Sequence, residues 1–154
     1  MTSIKPGQSA PQFEGTIQDG SQVSLDDYKG SKLVLYFYPK DDTPGCTKEA
    51  CSLRDEYAVL KEKGFKILGV SPDGVKKHNK FIDKYELPFD LLADEDKSTL
   101  HAYEVWGPKK FMGRKYDGVH RTTFVIDEEG QIEHVIEKVK TKDHAKQILN
   151  LYEE

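Results

Sequence analysis

Six consecutive apolar side chains, LVLYFY at 33–38, are followed, after the polar loop PKDDT, by apolar positions at helical spacing. A run of strand length without polar alternation predicts a strand covered on both faces. From Thr43 onward Cys46, Ala50, Leu53, Tyr57 and Leu60 recur at steps of three and four, which predicts a helix that Gly64 ends. FKILGVSP (65–72) repeats the buried-strand pattern, and Phe81, Ile82 and Tyr85 mark the apolar side of a second helix over 73–85. This order of elements constrains the fold strongly, because fully buried strands joined through helices pair in parallel between helical layers.

The flanking segments complete a mixed sheet. FEGTIQDGSQVSL carries Asp19-Gly20 between two short runs and predicts a β-hairpin. FDLLAD (89–94) suits a short strand, and KSTLHAYEV a short helix opened by Ser98. TTFVID (122–127) and QIEHVIEKV (131–139) read as a second hairpin, and KDHAKQILNLYEE sets Ala145, Ile148, Leu149 and Tyr152 on one helical face. The Lys-rich segment GPKKFMGRKY (107–116) reads as an exposed loop, with Trp106, Phe111 and Met112 packing under the active site. The expected architecture is an α/β sandwich of thioredoxin-like order, a mixed central sheet with helices on both faces. With no repeat, low-complexity segment or Ser/Gly linker, residues 1–154 read as one domain, which at this length buries roughly 70% of the surface of the unfolded chain.

Charge and composition exclude several function classes. A formal net charge of −4 from 23 basic and 27 acidic residues gives no general attraction for nucleic acid. The start MTSIKPGQSAP lacks an apolar signal region and no stretch approaches the ~18 apolar residues of a membrane span, so no membrane association and a soluble, cytoplasmic location are expected. Two cysteines are too few for a secreted disulfide scaffold, which leaves packing, metal binding or chemistry to explain them. His78, His101, His120, His134 and His144 are scattered, none at ligand spacing from a cysteine, and read as solvated side chains; no metal site is expected.

Both cysteines lie in YPKDDTPGCTKEAC (38–51). Cys46 follows Thr43, Pro44 and Gly45 and so falls in the first turn of the predicted helix, where backbone N–H groups lack intrahelical acceptors and favour an anion. A thiolate there is a nucleophile, and a nearby arginine would stabilise it further. Ionisation alone explains little: a free cysteine is already about 3% thiolate at pH 7, so complete ionisation gains only ~30-fold, about 2 kcal/mol. The rest must come from donors aimed at the substrate atom that takes up charge, for which Thr43 Oγ and the Gly45 and Cys46 N–H groups are local candidates.

The segment Pro39–Cys46, PKDDTPGC, resembles the P-x-x-x-T-x-x-C active-site motif of the peroxiredoxins, and HRTTFVID resembles the segment that supplies their active-site arginine. YFYPKDDTPGCTKEAC and WGPKKFMGRKYDGVHRTTFVID are similar to the bacterioferritin comigratory protein, or peroxiredoxin Q, subfamily, and the likeness extends over nearly the whole chain. The resemblance implies a thiol-dependent peroxidase that acts on hydrogen peroxide and organic hydroperoxides without metal, haem or flavin. It implies Cys46 as the peroxidatic cysteine, with Thr43, Gly45 and Arg121 binding the peroxide and Pro39 shielding the thiolate. Cys51 matches a resolving cysteine that some members carry on the same helix; it would condense with the Cys46 sulfenic acid to a disulfide. Thioredoxin or another dithiol as reductant, and a monomeric state, follow from the same analogy.

Other readings of these residues remain open at this point. Cys46 could be a small buried hydrophobe, Cys51 a bystander and Arg121 a surface arginine. The two thiols could serve a redox sensor or a thioredoxin-like binding module rather than a catalyst. His120, beside Arg121, could pair with a cysteine in a Cys–His hydrolase.

Overall fold

The computed structural model describes residues 2–153. Its sheet has seven strands, β1 (Glu14–Ile17), β2 (Gln22–Ser24), β3 (Lys32–Phe37), β4 (Phe65–Ser71), β5 (Asp90–Ala93), β8 (Thr122–Ile126) and β9 (Ile132–Ile136), in the order β2-β1-β5-β4-β3-β8-β9. β3, β4 and β5 pair in parallel, and the remaining neighbours are antiparallel. The helices are α1 (Pro44–Asp55), α2 (Tyr57–Glu62), α3 (Val75–Tyr85), α4 (Ser98–Ala102) and α5 (His144–Asn150). None of them is long and apolar enough to cross a membrane.

The apolar run at 33–38 behaves as its composition requires. Leu33, Leu35 and Phe37 enter a core with Leu68, Val70, Phe124 and Tyr103, while Val34, Tyr36 and Tyr38 enter a second core with Cys46, Leu53, Phe81 and Ile148. Alternate side chains of one strand therefore pack into two apolar layers, and no polar face remains to be solvated. α1, α3 and α5 cover the second layer; α4 contributes Leu100 to the first. This is a thioredoxin-like fold with helices on both faces of a mixed sheet.

Three local expectations are corrected. The helix predicted from Thr43 to Gly64 is two helices, because Glu56 (φ −105°, ψ 13°) leaves helical geometry between α1 and α2; side-chain periodicity survives such a break and cannot reveal it. Segment 107–116 is not a loop but lies within an antiparallel hairpin, β6 (Trp106–Phe111) with β7 (Arg114–Val119), turned by positive φ at Met112 and Gly113. Phe111 and Met112, at its tip, are 66% and 89% exposed rather than packed under the active site; only Trp106 is packed against the core.

The third correction concerns the histidines. His78 and His144 are fully buried, not solvated. Each lies on the apolar side of its helix, beside Phe81 and Ile148 respectively, and each satisfies its ring nitrogens with buried polar partners. Polar residues on an apolar stripe are legible in sequence only as interruptions, since their partners come from distant elements. Among the described residues no group of three or more His, Cys, Asp or Glu side chains is arranged to hold a metal ion.

Candidate active site

The site forms where β3 ends and α1 begins. Thr43 is the N-cap of α1 in extended geometry, Pro44 occupies the first helical position, and the ladder starts with Thr47 N–H donating to Thr43 O at 2.8 Å. The N–H groups of Gly45 and Cys46 precede that first bond, so the partial positive charge of the helix terminus lies at Cys46. Cys46 itself is 1% exposed. Its sulfur is therefore nearly closed to solvent.

The loop between β3 and α1 is pinned on its far side. Tyr38 Oη donates to Asp41 Oδ1 at 2.5 Å, and Asp41 Oδ2 lies 2.6 Å from His78 Nδ1. His78 Nε2 lies 3.0 Å from the carbonyl of Leu92, which can only accept, so Nε2 carries a hydrogen. Asp41 N–H donates to Asp73 Oδ2 at 2.7 Å. Asp42 adopts a left-handed φ of 59° and is held by Lys84 Nζ at 2.8 Å and Tyr85 Oη at 2.7 Å. These bonds fix the path of 39–43 from α3 and β5, and thereby the start of α1.

Arg121 arrives through sheet register. β8 pairs with β3 so that Thr122 faces Phe37, which sets Arg121 beside the end of β3 where the loop to α1 departs. Its Nη2 donates to Cys46 Sγ at 3.3 Å and its Nη1 to Glu49 Oε1 at 2.7 Å. One rigid guanidinium thus holds a thiol sulfur and a carboxylate from the same helical face, three residues apart. Burial works against its charge, but Glu49 and Cys46 outweigh that and raise its pKa. Gly45 leaves room for it: a Cβ there would lie 3.3 Å from Arg121 Nη2.

Thr43 plays a different part from the donor expected. Its hydroxyl donates to Lys40 O at 2.9 Å, so its remaining hydrogen-bonding capacity is as an acceptor. Pro39 is half-buried at the start of the loop. Cys51 shares α1 with Cys46 but is half-buried, and both thiols are free. Burial pushes the Cys51 thiol up, against the weaker pull of Arg54. His120 is not paired with Cys46; its Nε2 contacts Pro108 O at 2.9 Å, so the sulfur faces an arginine where a Cys–His hydrolase needs an imidazole.

The sequence of the region matches a family model described as AhpC/TSA over residues 6–135. The chain belongs to the AhpC/TSA family. Peroxiredoxin Bcp of Escherichia coli strain K12 is 47% identical, covering 100% of this chain and 99% of the relative. Peroxiredoxin Bcp of Bacillus subtilis strain 168 is 48% identical, over 96% of this chain and 94% of the relative. Among solved structures, the Xanthomonas campestris bacterioferritin comigratory protein, studied for alkyl peroxide reduction in trapped intermediate and ligand complexes, is similar at a TM-score of 0.87. It is 34% identical, with 98% of this chain and 96% of that chain covered. This membership makes the chain a peroxiredoxin, an enzyme that reduces peroxides.

Two residues of this peroxiredoxin site escape a motif-based reading. Glu49 is fully buried on Arg121, and His144 lies 3.4 Å from its second oxygen. The position of Glu49, three residues after Cys46 and one before Ala50, was the available signal: a carboxyl group on the buried stripe of a helix needs a polar partner, and Arg121 supplies one. A cleft of about 340 Å³ runs beside Arg121, lined by Lys109, His120, Thr122 and Val139 among others.

Proposed function

We propose that Cys46 is the peroxidatic cysteine and that its thiolate attacks the O–O bond of hydrogen peroxide or an organic hydroperoxide. The observation that carries this reading is Arg121 Nη2 at 3.3 Å from a thiol sulfur in the first turn of a helix. Two sources of positive potential then favour the anion before the peroxide binds. As the bond breaks, negative charge moves from sulfur to the departing oxygen, and the Arg121 fork together with the Gly45 and Cys46 N–H groups stabilises it there. Thr43 Oγ accepts the hydrogen bond of the peroxide, and Pro39 keeps water from the thiolate.

The products are a Cys46 sulfenic acid and an alkoxide or hydroxide that takes a proton to leave as alcohol or water. Cys51 attacks the sulfenic sulfur, expelling water and forming an intramolecular disulfide, which thioredoxin or a similar dithiol reduces. The decisive assay couples peroxide consumption to thioredoxin, thioredoxin reductase and NADPH, with hydrogen peroxide and an organic hydroperoxide in parallel. NADPH loss should require Cys46; oxidation that stops at one equivalent with every dithiol donor would instead indicate a sensor.

A further inference from the structure

Glu49 uses one carboxylate oxygen on Arg121, at 2.7 Å, while the other, Oε2, has no hydrogen-bond partner among the described residues. The side chain is fully buried. An anionic oxygen left bare in the interior is strongly disfavoured. His144 Nε2 lies 3.4 Å from Oε2.

Hydrogen-bond partners fix the state of that imidazole. Gln147 Oε1 accepts from Lys140 N–H at 3.1 Å, and Gln147 Nε2 donates to Lys138 O at 2.9 Å, so the amide oxygen is the atom facing His144 Nδ1 at 3.0 Å. Nδ1 therefore carries a hydrogen, and neutral His144 presents a lone pair at Nε2. Thr123 Oγ1 lies 2.8 Å from that lone pair. Two groups thus compete for it: the Thr123 hydroxyl and, when protonated, the Glu49 carboxyl.

The charges around the pair favour the proton on Glu49. Facing Glu49 are Arg121, Cys46, His144 and the buried, unpartnered hydroxyl of Tyr36; facing His144 are Glu49, Thr123, Gln147 and, at longer range, Arg121. Once Cys46 ionises, an ionised Glu49 would be a second anion on the one guanidinium. Burial pushes Glu49 up to about 7, opposed by the charge and hydrogen bond of Arg121, and burial pushes His144 down to about 4.

We propose that His144 is a positioning residue of the peroxidase site: when Thr123 yields the lone pair, Nε2 accepts a hydrogen bond from the protonated Oε2–H of Glu49, which keeps that carboxyl neutral and directs the charge of Arg121 to the Cys46 thiolate and the departing oxygen. Glu49 Oε1 still accepts from Nη1, so the guanidinium keeps its aim while its second anion is removed. This role rests on the peroxidase reading of Cys46.

The test measures the pH midpoint of Cys46 alkylation by iodoacetamide in a Cys51→Ser background, where one thiol remains, together with the rate of the first turnover with hydrogen peroxide. His144→Phe removes the acceptor and should raise the midpoint by about one pH unit and slow peroxide reduction about tenfold near neutral pH. Thr123→Val removes the competitor for the same lone pair and should move the midpoint down. In a Glu49→Gln background, where the side chain is neutral throughout, His144→Phe should change both readouts by less than about twofold. Equal losses with and without Glu49, or an unmoved midpoint, would overturn the role. Should His144→Phe not fold, Thr123→Val decides it alone, and a midpoint that stays or rises counts against it. The alkylation readout does not involve peroxide, so a peroxidase that fails altogether would show separately as normal thiol titration without turnover.

Discussion

The guanidinium of Arg121 reaches the sulfur of Cys46 at 3.3 Å across 75 residues of chain, and the same group is held from behind by Glu49 at 2.7 Å. In the proposed reaction this fork faces both the attacking sulfur and the departing oxygen, and the second task carries the larger effect. Arg121→Lys keeps the charge but loses the planar pair of donors that spans both partners. The second-order rate constant with hydrogen peroxide should fall by more than the ~30-fold that loss of ionisation alone could cause. A constant within a few-fold of wild type, measured by stopped flow, would place the transition-state stabilisation elsewhere.

Gly45 lies against the Arg121 guanidinium. An alanine suits the first turn of α1, but its Cβ would stand 3.3 Å from Arg121 Nη2, tighter than ordinary contact. Gly45→Ala should leave the thermal midpoint unchanged or slightly raised while peroxide reduction drops about tenfold or more through a displaced guanidinium. Equal activity and stability would mean that the fork tolerates the shift.

Glu49 makes stability depend on pH in a direction opposite to the usual carboxylate. Burial raises its folded pKa from 4.5 to about 7, with Arg121 opposing, so between those values the folded chain binds more protons than the unfolded one and stability falls as pH rises. His144, lowered from 6.5 to about 4 chiefly by burial, acts the other way, its contribution being lost as pH falls through the same region. Glu49→Gln removes only the first effect. Relative to wild type, it should gain stability between pH 4.5 and 7, by up to about 3 kcal/mol, in denaturant titrations at several pH values. A difference that does not change with pH would show that Glu49 ionises normally.

The sequence made the sheet and the nucleophile legible for the same reason: both are local. LVLYFY, the stripe from Cys46 and the Pro-Gly-Cys entry each carry their signal within one or two turns of chain. What stayed hidden was pairwise and distant. Glu49 needed Arg121, His144 needed Thr123 and Glu49, and His78 needed Asp41, partners 37 residues away in the last case. The β6–β7 hairpin was hidden for another reason, since it covers little core and so lacks the apolar alternation that marks a half-buried strand.

On a regular helix, residues five apart stand about 8–9 Å apart at Cα and face different sides, whereas a disulfide requires them within about 7 Å with Cβ atoms opposed. Cys46 and Cys51 are both within α1, and Cys51 is held as a partly buried thiol whose pKa burial has raised. A disulfide between them would therefore require α1 to unwind, which would also expose Cys51 and ease its ionisation. The bonds that tie the rest of α1 to its neighbours would then come under load: Arg54 Nη1 to Tyr85 O at 2.8 Å, and Ala145 N–H to Ser52 Oγ at 3.0 Å. One equivalent of peroxide should produce a Cys46–Cys51 disulfide, reduce the far-UV helical signal and speed amide exchange over residues 43–54, while β3 and β4 stay protected. Cys51→Ser should reduce its first equivalent of peroxide and then accumulate sulfenic or sulfinic acid unless an external thiol intervenes. Peptide mapping that finds only intermolecular disulfides, or exchange in this segment that oxidation leaves unchanged, would remove the switch from α1 and leave Cys46 as a one-cysteine peroxidase.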